Sequence, residues 1–118
     1  YDVHLNFSPV IVEKDWLFYY GFLFKEVSIA AENIFKWNEG VKAEVIFLTH
    51  NKNKHEYNLE HKIPGEDLIW KPEIQETKIS QYGGENIRYV SSRKSQYISE
   101  FTKLHGDIIP WNTIRYIF

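Results

Sequence analysis

Apolar and polar residues alternate with a period of two along several stretches of the chain. The pattern is clearest in residues 2–8 and 41–50 and returns in residues 57–63. Because successive side chains of a strand point to opposite faces, each stretch is predicted to be a half-buried strand. We expect strands 41–50 and 57–63 to pair as a hairpin around the polar residues 51–55.

Two further segments are predicted to be strands from their apolar and aromatic content. Residues 16–24 are almost wholly aromatic or aliphatic, which favours a buried strand. Residues 96–104 carry enough Tyr, Ile and Phe to be a strand as well. Residues 108–118 close the domain, and Pro110 predicts a kink or a short helical turn before residues 114–117.

The polar region 71–96 is open to two interpretations. Gly83 and Gly84 lie between two short apolar stretches, so the region is either a second hairpin or a flexible loop. Upstream of it, Pro64 and Gly65 predict a turn.

One short helix is predicted at residues 28–37. Ser28 is a suitable N-cap, and Ile29, Ile34 and Trp37 fall near one face at helical spacing. Gly40 provides a left-handed end. The expected fold is therefore α+β, mainly an antiparallel sheet that could curl into a small barrel, with this helix against it.

The chain has 118 residues, which suits a single domain spanning residues 1–118. The absence of Met indicates that this domain belongs to a longer chain. The expected core contains six large apolar residues: Trp37, Phe47, Leu68, Ile109, Ile114 and Ile117.

Composition excludes several classes of protein. Hydrophobic residues make up 43% of the chain and charged residues 25%, with a formal net charge of −2, as in ordinary globular domains. The chain has no Cys, which excludes disulfides and thiolate metal sites. No apolar run approaches the about 20 residues that span a bilayer, so we expect no membrane contact. Since no signal peptide is visible, a cytoplasmic or other intracellular location is expected.

Histidines are the first candidates for chemistry in a chain without Cys. His50, His55 and His61 lie along the predicted hairpin, but its tip separates His55 from the other two. Zinc ligands must converge, so we predict no metal site. No serine stands beside a base in a nucleophile motif, and no phosphate-binding loop is present. We therefore expect no cofactor and no catalytic residue.

Basic residues that lie in or near the predicted loops are interleaved with aromatic residues. Aromatic rings stack on bases while neighbouring cations hold phosphates, so this pattern is typical of single-strand binding. The cations and rings concerned are Lys52, Lys54, Arg88, Arg93, Lys94 and Lys103 with Tyr57, Tyr82, Tyr89 and Tyr97. The alternative is that the charges only keep an aromatic-rich sheet in solution.

Four segments resemble a small domain that is found alone in archaea and fused to other modules in eukaryotes. They are Asn33-Ile34-Phe35-Lys36-Trp37-Asn38, Val45-Ile46-Phe47-Leu48-Thr49-His50, Pro64-Gly65-Glu66-Asp67-Leu68-Ile69 and Ile109-Pro110-Trp111-Asn112-Thr113-Ile114-Arg115 with Tyr116-Ile117. That family is proposed to recognise the cyclic-phosphate ends of RNA. The chain departs from it at Ile34, His50 and Asn112-Thr113, where the family has polar residues that would meet RNA.

The leading hypothesis is a non-catalytic recognition module with RNA as the first candidate ligand. Its expected contacts are His50, Lys52, Asn112 and Arg115 to phosphate or sugar, and Trp111 or Tyr57 to a base. One alternative is a protein-interaction domain that adds a partner strand to a sheet edge within a larger assembly. Another is a carbohydrate-binding β module with several of Trp16, Trp70 and Trp111 on one open face.

Overall fold

The computed structural model describes residues 3–34, 40–79 and 85–118, and the side chains of all of these except residues 33 and 34. Its elements in chain order are β1 (His4–Val10), α1 (Trp16–Ile34), β2 (Lys42–Phe47), β3 (His50–Asn51), α2 (Lys52–Glu60), α3 (Glu66–Ile69), a 3-10 helix (Pro72–Ile74), β4 (Gln75–Ile79), β5 (Glu85–Tyr89), α4 (Ser91–Ile108) and β6 (Thr113–Ile117). They form two compact units. Unit 1 comprises residues 1–47 and 96–118, and unit 2 comprises residues 48–95.

Unit 1 contains a parallel sheet in the order β1-β2-β6. Leu5 lies opposite Ala43, and Ala43 lies opposite Ile114 on its other side. Parallel neighbours need a long crossover, and α1 supplies it between β1 and β2. Burial alternates along β2, where Ala43, Val45 and Phe47 are buried. This alternation is the physical basis of the period of two in the sequence.

Aromatic side chains hold the helices of unit 1 to this sheet. Trp16, Tyr20 and Phe24 are spaced by four residues and lie along the inner side of α1. The ring centroid of Phe24 lies 5.4 Å from that of Phe101 in α4, and the two rings meet edge to face. Trp16 packs in the same manner against Phe47, at 5.8 Å. Edge-to-face pairs of this kind contribute beyond the area they bury.

The outer side of α1 is also apolar. Phe18 is 71% exposed and Phe22 is 62% exposed, with Tyr19 and Leu23 exposed beside them. Because both sides of α1 carry large apolar residues, its sequence reads as a continuous run. Across the part of the chain that the structure describes, no helix is both long and apolar enough to cross a membrane.

Unit 2 contains an antiparallel sheet in the order β3-β5-β4. Ile87 in the central strand lies opposite His50 on one side and Thr77 on the other. The side chain of Asn51 caps α2 by accepting a hydrogen bond from the Lys54 backbone at 2.7 Å. Gly65 precedes α3 with φ of +93°, a conformation that favours glycine over any other residue.

The α+β class is confirmed, whereas the details of the sheet differ from the prediction. Within the described residues the strands form one parallel and one antiparallel three-stranded sheet and no closed barrel. The period-two segments at β1 and β2 are strands as predicted, and the closing segment contains β6. The region around the Gly pair is a hairpin of β4 and β5, although residues 80–84 lie outside the described residues.

Three predicted strands are wrong, because they are helical. Residues 16–24 begin α1, residues 57–60 end α2, and residues 96–104 belong to α4. Residues 28–34 of the predicted short helix are the end of α1, while residues 35–39, including Trp37, lie outside the described residues. In α4 the apolar residues Tyr97, Phe101 and Leu104 follow helical spacing instead of alternating.

The predicted core is confirmed at Phe47 and Ile109, which are 1% and 0% exposed. Leu68 is 37% exposed, and Ile114 and Ile117 are half-buried. The interior of unit 1 is instead built around Phe24 and Phe101, both of which are fully buried.

Two phenylalanines on α1 provide a matched test of this core. We expect Phe24→Ala to lower the free energy of unfolding by about 3–5 kcal/mol, because it leaves a cavity beside Phe101. Phe22→Ala removes the same atoms from the exposed side and should change stability by less than about 0.5 kcal/mol. Urea unfolding followed by circular dichroism measures both. Equal losses in the two variants would show that α1 is not packed as described.

Candidate functional site

Three polar side chains of unit 2 converge on one carboxylate, that of Glu66. Glu66, at the start of α3, is only 8% exposed. His50 comes from β3, and His55 and Asn58 come from α2, where their spacing of three residues places them on one face. We call these four residues the His–Glu cluster.

Each of the other three residues contacts the Glu66 carboxylate. Nε2 of His50 lies 3.1 Å from both carboxylate oxygens. Nδ1 of His55 lies 2.5 Å from Oε2, and the Asn58 amide donates to Oε1. His50 is itself 8% exposed, so most of this contact is shielded from water.

The protonation of Glu66 reflects two opposing effects. Burial raises the pKa of its carboxyl, whereas hydrogen bonds from Asn58, His55 and His50 and the charge of His50 lower it. The lowering effects dominate, and the pKa lies below its usual value. The carboxylate is therefore ionised at neutral pH.

Trp70 covers one side of the cluster. Its ring stacks on His55, with ring centroids 3.8 Å apart and planes within 7°. It also meets the edge of the His50 ring at 6.0 Å. Because Glu66 fixes the His55 ring, it also fixes the surface on which Trp70 lies.

Trp70 also lines a cavity of about 290 Å³ in unit 2. The other lining residues come from the start of α2, the 3-10 helix and the β4–β5 hairpin: Lys52, Pro72, Gln75, Glu76, Thr77, Glu85 and Ile87. Ion pairs join Lys52 to Glu85 at 3.5 Å and Arg88 to Glu76 at 2.8 Å. The cavity thus combines an aromatic wall with one cation, Lys52, and two carboxylates, Glu76 and Glu85.

Three of the six predicted ligand contacts fall in unit 2. Lys52 is exposed and lines the cavity. Tyr57 is 55% exposed and stacks on His61 at 3.9 Å. His50 is buried against Glu66, so a contact between His50 and a ligand would require the cluster to open.

The other three predicted contacts fall in unit 1. Asn112 is 3% exposed, donates to the Val41 carbonyl at 2.9 Å and faces His105 Nε2 at 2.8 Å. Its amide thus ties α4 to the residue that precedes β2. Arg115 is exposed and lies 3.7 Å from Glu44. Trp111 is half-buried.

One of the tryptophans expected on the open face of a carbohydrate module is buried. Trp16 is 8% exposed and belongs to the aromatic interior of unit 1. Trp70 is half-buried against His55 in unit 2. Burial removes Trp16 from any platform on which a sugar could stack.

Sequence reasoning missed Glu66 and Asn58 as site residues, and it named Trp70 only for a carbohydrate surface. Glu66 directly follows the predicted turn at Pro64 and Gly65, and the predicted hairpin separates His55 from His50. In the structure Lys52–Glu60 form α2 instead of that hairpin. The ligand atoms of His50, His55 and Glu66 therefore lie within 4.8 Å of one another. The sequence contains one clue to α2, because Asn51 precedes three polar residues and Asn is a good N-cap.

The chain has structural neighbours, although no known family and no curated protein matches its sequence. Its fold matches a variant of spore photoproduct lyase with bound AdoMet and dinucleoside spore photoproduct, with a TM-score of 0.80 and 17% identity. The match covers 100% of this chain and 34% of that one. A lyase structure complexed with dinucleoside spore photoproduct matches with a TM-score of 0.79 and 16% identity over 98% of this chain and 33% of the lyase. This chain therefore spans about a third of the length of these lyases, and the likeness concerns the fold.

The contribution of the cluster to stability can be measured with two carboxylates of unit 2. Glu66→Gln retains the shape but loses the charge that the three donors face, so in metal-free buffer we expect a loss of about 1–3 kcal/mol. Glu60→Gln makes the same change at an exposed site at the end of α2 and should stay within about 0.5 kcal/mol. Urea unfolding at pH 7 compares them. If both variants unfold at the wild-type midpoint, Glu66 does not organise the cluster.

His105 should make the stability of the chain depend on pH. Burial lowers the pKa of His105, and the hydrogen bond with Asn112 only partly offsets this. The unfolded state, with a pKa of about 6.5, therefore takes up the proton first as the pH falls. We expect the stability difference between wild type and His105→Gln to be largest above pH 7 and to shrink as the pH falls below about 6.5. A constant difference between pH 8 and pH 5, measured by urea unfolding, would contradict this.

Proposed function

We propose that this chain is a non-catalytic nucleic-acid-recognition unit of a larger protein, and that unit 2 binds a short stretch of single strand. The observation that carries the proposal is the fold, which is shared along the whole chain with lyase structures that hold a dinucleoside. Fold alone does not fix function, so the local chemistry of unit 2 has to support the assignment.

The distribution of charge supports unit 2 as the binding surface. Residues 48–95 contain eight Lys and Arg against seven Asp and Glu, whereas the rest of the chain contains six against nine. A slightly acidic chain thus concentrates its cations in one unit, where they attract phosphate. Exposed cations of unit 2 include Lys52, Lys54, Lys62, Lys78, Arg88 and Arg93.

The Trp70 cavity supports binding of one base. Ligand pockets start at about 300 Å³, so a cavity of about 290 Å³ suits a single base better than a larger group. Stacking on Trp70 tolerates any base, and Lys52 at the rim can release Glu85 for a phosphate. Glu85 and Glu76 oppose phosphate by themselves, but each is paired with a cation.

The sequence predicts RNA, while the ligand in the neighbouring lyase structures is a dinucleoside photoproduct. Both present a base joined to a sugar, which is the chemistry the aromatic wall of the cavity suits. RNA and DNA strands of equal length distinguish the two, since they differ at the 2′-hydroxyl.

Fluorescence anisotropy with labelled oligouridine and oligothymidine strands tests the proposal on the 118-residue chain. We expect binding that weakens steeply with salt, because phosphate contacts release counterions. Trp70→Ala should weaken it about 5-fold to 150-fold, the equivalent of one stacked base, while Trp70→Phe should retain part of the affinity. Lys52→Gln should reduce the salt slope by about one.

Lys25→Gln is the matched control, since Lys25 is an exposed lysine of α1 in unit 1. It should leave both affinity and salt slope unchanged. Binding that ignores salt, or that is lost equally in the Lys25 and Lys52 variants, would refute recognition by unit 2.

A further inference from the structure

The His–Glu cluster gathers three potential metal ligands at one point. The ligand atoms of His50, His55 and Glu66 lie within 4.8 Å of one another. They come from three elements, at positions spaced by five and eleven residues. This convergence depends on α2 and α3 and is independent of the nucleic-acid proposal.

The ligand types suit zinc. Two imidazoles and one carboxylate form a common protein donor set for Zn²⁺, with a fourth position left for water or substrate. Neutral imidazole offers a lone pair at the nitrogen that now faces Glu66, once the proton moves to the other ring nitrogen. Metal binding would therefore exchange two hydrogen bonds for two coordinate bonds without moving the rings far.

Neighbouring residues orient these three side chains, as the residues around the ligands do in known metal sites. Asn58 donates to Oε1 of Glu66 and so orients the carboxylate. Trp70 stacks on His55 and fixes the plane of its ring. His50 and Glu66 are each 8% exposed, so the ligands are largely desolvated before an ion arrives.

We propose that His50, His55 and Glu66 bind one divalent transition-metal ion, with zinc as the best-suited ion. The ion would join β3, α2 and α3. It would also reverse the local charge, since a dication outweighs the single negative charge of Glu66.

Titration of the metal-free, tag-free chain with zinc chloride tests the proposal directly. Isothermal titration calorimetry should give equimolar binding, and zinc should raise the melting temperature. Cobalt chloride should produce the intense visible absorption of a four-coordinate cobalt site. No zinc binding by the wild-type chain would overturn the proposal.

A graded set of variants distinguishes the roles of the residues. Asn58→Ala should weaken zinc binding about 10-fold to 100-fold, as loss of an outer-shell partner does. Glu66→Gln and His55→Ala remove ligands and should cost more than Asn58→Ala. His61→Ala changes an exposed histidine just after α2 and should leave affinity unchanged.

Circular dichroism of each variant checks that it is folded before the zinc titration. Should His55→Ala fail to fold, Glu66→Gln preserves the side-chain shape and provides the same test. Zinc binding that survives in folded Glu66→Gln with wild-type affinity, or that disappears in His61→Ala, would place the ion elsewhere and refute the site.

Discussion

A carboxylate that is buried away from water must accept hydrogen bonds. Unit 2 is arranged around one buried carboxylate whose hydrogen bonds are made. The Glu66 carboxylate accepts hydrogen bonds from His50, His55 and Asn58. This matters most for α2, which has no buried residue along its length and so gains little from apolar packing. Its attachment depends on the hydrogen bonds of His55 and Asn58. The position of Trp70, and therefore one wall of the cavity, follows from the same contact.

Unit 1 is held by a different kind of interaction. Phe24 and Phe101 are fully buried, and their rings meet edge to face across α1 and α4. A buried His105–Asn112 contact adds a polar tie, which continues to the backbone of Val41. The exposed Phe18 and Phe22 take no part in this interior. Adjacent large apolar side chains left in water are typical of contact surfaces.

The sequence predicted those elements whose burial follows their own periodicity. Apolar and polar residues alternate along β2 because one face of its sheet is buried, so the pattern predicted a strand. The sequence predicts a strand in place of α1, because the exposed Phe18 and Phe22 obscure the four-residue spacing of Trp16, Tyr20 and Phe24 that is typical of a helix. α2 was mistaken for a strand because its apolar residues, such as Leu59, are exposed and alternate for no structural reason. The burial of Glu66 was beyond prediction, since it depends on donors that tertiary structure brings to it.

His55 connects the two proposals physically. Nδ1 of its ring faces Glu66, while a face of the same ring lies on Trp70, which lines the cavity. Without an ion, the ionised Glu66 lies against the His55 ring on which Trp70 stacks, and its negative charge repels phosphate. With a dication on the cluster the net charge there is positive, and the same wall attracts phosphate. A metal ion in the site would therefore strengthen binding of a nucleic-acid strand in the cavity. The direction of this effect follows from the charge of the ion alone.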